Sequence, residues 1–220
     1  KRVKTTDDKV NTLQKKVNRI SRTIETNYVD VDINKAVAYD VETVVHLTPI
    51  INDAATASGY PGTRQGSRVT PTFLEIRMQA YQGASTLQNP SFVRFLVVQA
   101  KQRFVPQTTS VSGTTAVLAN QGSNKSYVAP FNKDNRRHFT VLHDETVSLG
   151  SWLSSTGAAT AIPQARHIEI KRKLSRNIAY DLDSTTTEAG QVYLIAYSNI
   201  VSTQTEPTIS GLCRVHYQDL

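Results

Sequence analysis

Eight of the chain's 25 basic residues crowd into its first 25 positions: Lys1, Arg2, Lys4, Lys9, Lys15, Lys16, Arg19 and Arg22. Only Asp7, Asp8 and Glu25 oppose them, so this segment holds +5 of the chain's net +7 and leaves +2 for the other 195 residues. Ammonium and guanidinium groups neutralise phosphates, and charge gathered in a terminal arm is the footprint of nucleic acid or of an anionic membrane. No aromatic residue interleaves with these cations, so they would bind by charge and read no bases. Membrane is the poorer fit, because the arm has no Trp or Phe and no wide apolar face.

Other reactive side chains do not assemble into a site. The histidines, His46, His138, His143, His167 and His216, are scattered over different strands, with no HExxH spacing, no GxSxG elbow, no GxGxxG and no phosphate-cradling loop. His143 and Asp144 are adjacent on a strand and so point to opposite faces, which rules out their convergence as an acid/base pair. The reading is a chain with no catalytic residues and no cofactor. Asp30 with Asp32, or Asp181, Asp183 and Glu188, could hold calcium if subunits brought them together; a solvated turn is the plainer account. The single cysteine, Cys213, excludes an intrachain disulfide and any cysteine-based zinc site, and its alternating neighbours make it a buried thiol.

The arm's cations need an element to present them. Val10, Leu13, Val17, Ile20 and Ile24 recur at alternating spacings of three and four, the narrow seam of a short coiled coil. Thr5 and Thr6 can cap a helix over about 7–25, and Asp7 and Asp8 meet the positive end of its dipole. Such a helix is about 27 Å long and marginal alone in water, so it should form where other copies are held close. The chain starts without methionine, so its start is expected to have been processed or trimmed, or to follow further upstream residues.

After about residue 35 the period becomes two. Val37, Tyr39, Val41, Val45 and Leu47 alternate with Asp40, Glu42 and His46, predicting a half-buried strand over Ala36–Thr48. In Arg68–Tyr81, Leu74, Ile76, Met78 and Ala80 should face in, and Glu75, Arg77 and Gln79 out. Phe92–Gln99 is more continuously apolar and should be buried on both faces or covered by a neighbouring subunit. Further strands are expected at Arg137–Leu149, Arg166–Leu174, Asn177–Leu182, Gln191–Asn199 and Thr208–Gln218. Gln102–Asn135 is a long polar connection with Val117, Leu118, Tyr127 and Phe131 as pins. Eight strands without intervening helices, after a basic arm at 1–34, predict an all-β antiparallel sandwich over 35–220; spacing alone does not separate a jelly roll from an immunoglobulin-like sandwich.

Three blocks carry a family resemblance. Gly66–Arg77 (GSRVTPTFLEIR), Val93–Val98 (VRFLVV) and Arg136–Asp144 (RRHFTVLHD) resemble, in order and spacing, the second, third and fourth strands of single jelly-roll viral capsid proteins. Within that family the blocks most resemble the coat protein of satellite tobacco necrosis virus and the capsid proteins of small circular single-stranded DNA viruses. The basic helical arm fits the same pattern. Departures are Ala100-Lys101-Gln102, where an Arg-Asp pair is expected, and the length of Gln102–Asn135, which favours the circular DNA virus branch. The resemblance implies an eight-stranded jelly roll that self-assembles into a T=1 icosahedral shell of about sixty copies. It further implies single-stranded RNA or DNA packaged by the arm, a host receptor, and a place in the virion after assembly in the host nucleus or cytoplasm. It also puts the long loop with the first, fifth and seventh connections, at the end that packs around fivefold axes, as a host-contact surface. The rival reading is a cellular jelly-roll binding module, a lectin-like trimer that the helix merely oligomerises.

Overall fold

The computed structural model describes residues 10–11, 13–16, 26–38, 42–52, 63–64, 67–82, 91–101, 117–119, 126–149, 165–180, 187–200 and 206–219. The strands in chain order are β1 (Thr26–Ala36), β2 (Thr43–His46), β3 (Ile51–Asn52), β4 (Thr63–Arg64), β5 (Arg68–Gln82) and β6 (Ser91–Ala100). They continue as β7 (Phe139–Leu149), β8 (Arg166–Lys173), β9 (Ile178–Tyr180), β10 (Thr187–Ala189), β11 (Val192–Ser198) and β12 (Pro207–Asp219).

One sheet runs β1-β12-β5, with β8 along residues 73–80 of β5 and β9 then β10 continuing from its first residues. The other runs β2-β11-β6-β7, and every pairing in both is antiparallel. Take the eight strands β1, β2, β5, β6, β7, β8, β11 and β12 in chain order. The first, eighth, third and sixth then form one sheet, and the second, seventh, fourth and fifth form the other. That double interleaving is the two-Greek-key order. The fold is a jelly roll.

Sequence alternation explains the faces. On β5, Leu74, Ile76, Met78 and Ala80 are buried while Arg77 is exposed, and on β8, Ile168 and Ile170 are buried between exposed Glu169 and Lys171, as the period of two predicts. These residues meet Phe95, Val97, Leu194 and Ala196 of the second sheet in the main core, each large side chain contributing roughly 1.5–3 kcal/mol of hydrophobic stabilisation. β6 and β11 are buried on their other faces too, because Leu96, Val98, Tyr193, Ile195 and Tyr197 lie under Val117, Leu118, Ala129, Tyr127 and Phe131 of the chain's own long connection. The expected pins thus act within the chain.

The strand expected over Ala36–Thr48 is two strands: β1 ends at Ala36, and Val37 turns the chain by donating to Pro207 O at 2.7 Å before β2 starts at Thr43. β1 itself begins at Thr26 and pairs with β12 along its whole length, so residues 26–34, read as arm, are sheet. Because β1 was missing from the sequence reading, the three resembling blocks move on by one, to the third, fourth and fifth jelly-roll strands. This relocates the long loop. It is the fourth connection, and it leaves the sandwich beside the second and sixth, where Ala100 N donates to Gln191 O at 2.7 Å, Lys101 N to His138 O at 2.7 Å and Tyr180 N to Ser67 O at 2.8 Å. The odd-numbered connections meet at the opposite end, where Ser198 N donates to Ala38 O at 3.0 Å and Asn199 N to Phe92 O at 3.2 Å.

Candidate nucleic-acid interface

The arm enters at the β1 end of the sandwich. Val10, Asn11 and Leu13–Lys16 have helical backbone. Val10 and Leu13 are 53% and 60% exposed, and Lys15 and Lys16 are exposed beside them. Lys1, Arg2, Lys4, Lys9, Arg19, Arg22, Val17, Ile20 and Ile24 lie outside the described residues. The helix bounds, its caps and most of its seam lie there with them.

On the outer face of the β1-β12-β5-β8 sheet the register sets several opposite charges side by side. Arg214 forks onto Asp30 through two 2.7 Å bonds and lies 4.4 Å over the Tyr28 ring. That bond holds the Asp30 carboxyl below the usual carboxylate range and raises Arg214. Arg77 reaches Glu75 at 2.7 Å, and Lys171 reaches Glu169 at 2.7 Å and Glu75 at 3.5 Å. The Arg77 bond lowers Glu75, and the Glu169 bond raises Lys171. Such exposed pairs add little stability, but they offset one another's charge.

Asp30 is therefore held by an arginine that a cation would have to displace. Among the described residues no three His, Cys, Asp or Glu side chains gather in a metal-binding group. Asp181, Asp183 and the Glu188 side chain lie outside what is described.

The histidines are fitted to structure. His143 accepts at Nδ1 from Arg172 (3.1 Å), since an arginine can only donate, which leaves Nε2 to donate to Glu145 at 3.0 Å. Asp144 points the other way, to Arg94, as strand alternation requires. His46 packs against Tyr193 with ring centroids 5.3 Å apart, and burial lowers its pKa to about 4. Cys213 is buried, and burial, with the Asp30 charge second, pushes its thiol up to about 12.

Sequence reasoning missed Arg94, a cation inside an apolar run. It forks onto Asp144 through two 2.8 Å bonds, donates to Ala129 O at 2.6 Å and lies 5.4 Å from the Phe131 ring, clamping the long connection onto β6. The signal was there: a buried strand tolerates an arginine only with a partner.

Among the described residues no helix is long and apolar enough to cross a membrane. No protein-family model matches this chain, and no curated protein is similar to it in sequence. In structure it is similar to the BFDV capsid protein, solved as a 60-mer, at 12% identity and a TM-score of 0.38, over 89% of this chain and 93% of that one. It is similar also to VP1 of Trichodysplasia spinulosa-associated polyomavirus, solved with GM1 oligosaccharide, at 6% identity and a TM-score of 0.22, over 87% and 93%. These are viral capsid proteins. At such identities the likeness is one of fold, and the jelly roll here rests on its own strand order.

Proposed function

We propose that this chain is a viral capsid protein, not an enzyme: a jelly-roll body that self-assembles into a T=1 shell of about sixty copies, with an arm that packages single-stranded nucleic acid by charge. The observation that carries the reading is the junction at Thr26, where a segment of net +5 passes directly into the first strand of a jelly roll. The cations Arg77, Lys171 and Arg214 of the body's β1-β12-β5-β8 sheet are each paired with an acid, so phosphate neutralisation falls first to the arm. Roughly sixty arms supply about 300 net charges, each offsetting about one phosphate.

The arms associate in threes through Val10, Leu13, Val17, Ile20 and Ile24 where shell symmetry holds three close; Val10 and Leu13 are more than half exposed in the single chain, which leaves them available to such a seam. Val17→Asp with Ile20→Asp should disorder the arm while shells still form. Particle mass tests the main reading: a shell runs near 1.5 MDa for about sixty chains of 24.3 kDa, a lectin-like trimer near 73 kDa for three. Deleting residues 1–22 should give shells that are empty or randomly filled. Normal packaging after that deletion would overturn the arm's role.

A further inference from the structure

The loop end of the sandwich holds exposed cations that make no ion pair among the described residues. Lys101 follows β6 and Arg176 precedes β9, and together with Ser175, Asn177, Ala189 and Gly190 they line an open depression of about 320 Å³. Its floor is fixed by backbone geometry. Gly190 has φ +86°, and a Cβ there would lie 2.2 Å from Asn177 O, so only glycine lets the β10–β11 turn pass beneath this wall. Gln99 Nε2 ties the two sides together by donating to Arg176 O at 3.3 Å and Gly190 O at 3.0 Å. Asn177 Oδ1 accepts from Thr70 Oγ1 at 3.2 Å, leaving its amide NH2 to donate. Lys101 and Arg176 are both exposed. Among the described residues neither makes an ion pair, and no acid lines the depression.

The position relative to the arm suggests the occupant. Thr26 lies opposite Gln218, Gln218 opposite Thr70, and Val69 opposite Ile178, all on this same end. Three strand spacings, about 14 Å, separate the start of β1 from β9. Exposed Arg68 at the start of β5, with no ion pair among the described residues, stands on the way.

We infer that the depression between Lys101 and Arg176 is a phosphodiester-binding site that takes the backbone of the single strand held by the arm. This rests on the proposed packaging function and deepens it: the body supplies fixed contacts next to the arm's point of departure. Two cations, a hydroxyl and an amide around an open hollow suit a phosphate's oxygens. The contacts carry no base readout.

The test uses the full-length chain with Lys101→Gln and Arg176→Gln together, titrated with a single-stranded homopolymer across salt concentrations. Two lost phosphate contacts should lower the slope of log affinity against log salt by about 1.4, which is about 25-fold in affinity at 0.1 M salt. Lys101→Arg with Arg176→Lys should restore both. A Lys15→Gln, Lys16→Gln arm variant, made separately, reports on the underlying function. If the unmodified chain binds no single strand, the packaging reading itself fails. If the arm variant weakens binding while the Lys101/Arg176 variant changes neither affinity nor slope, that reading stands and this inference is overturned. Loss of binding to a sulfated polysaccharide alone, with homopolymer binding intact, would also overturn it.

Discussion

Arg94→Leu should release the long connection from the sheet it covers. The Arg94 side chain is 11% exposed and that of its partner Asp144 33%, so the pair is mostly shielded on one side and wet on the other. Leucine removes a two-pronged charged bond, worth about 2 kcal/mol once Asp144 rehydrates, and leaves Ala129 O without its 2.6 Å donor, worth about 1 kcal/mol. A loss near 3 kcal/mol lowers the melting temperature of the unassembled chain by about 9 °C. Asp144→Asn alone should cost about half as much, and the two together less than their sum by more than 1 kcal/mol, because both remove one interaction. Native-state hydrogen exchange gives a local readout. The amides of Ala119 and Asn132, which donate to Pro130 O and Val117 O, should exchange faster in either variant while those of β5 do not. Additive effects, or unchanged exchange at Ala119 and Asn132, would show that Arg94 does not clamp the connection.

Acid should destabilise the body through His46. Its folded pKa of about 4 lies below the unfolded 6.5, so the unfolded chain takes the proton first. Stability is then intact above about pH 6.5 and falls by up to about 3 kcal/mol, less for the ring's residual exposure, as pH drops towards 4. Urea midpoints at pH 7 and 4.5 should converge in His46→Gln, and an unchanged gap would assign the acid sensitivity elsewhere. Gly190→Ala should cost about 2–4 kcal/mol, since it combines positive φ with the contact at Asn177 O; a melting temperature unchanged within 2 °C would refute the close approach. Cys213 should resist alkylation in the folded chain and react at once in urea, its burial and raised pKa both withholding the thiolate.

What the sequence determines here is what depends on near neighbours in the chain. Successive strand residues face opposite ways, so Leu74, Ile76, Met78 and Ala80 declare a buried face and Arg77 an outer one without any knowledge of the partner strand. The same alternation is legible in Val29, Val31 and Ile33 of β1, although these follow a helical pattern closely enough to be taken with the arm. The clustering of charge before β1 is likewise plain from order alone. Strand partnership is not, because it joins segments far apart in sequence. Arg94 meets Asp144 across 50 positions, and Lys101 and Arg176 share one hollow across 75. The apolar run of β6 demanded a cover and allowed it to come from the chain itself or from a neighbour. Only tertiary structure laid the connection before β7 over it, and only the pairing order put that connection, Lys101, Arg176 and the start of β1 on one end of the sandwich.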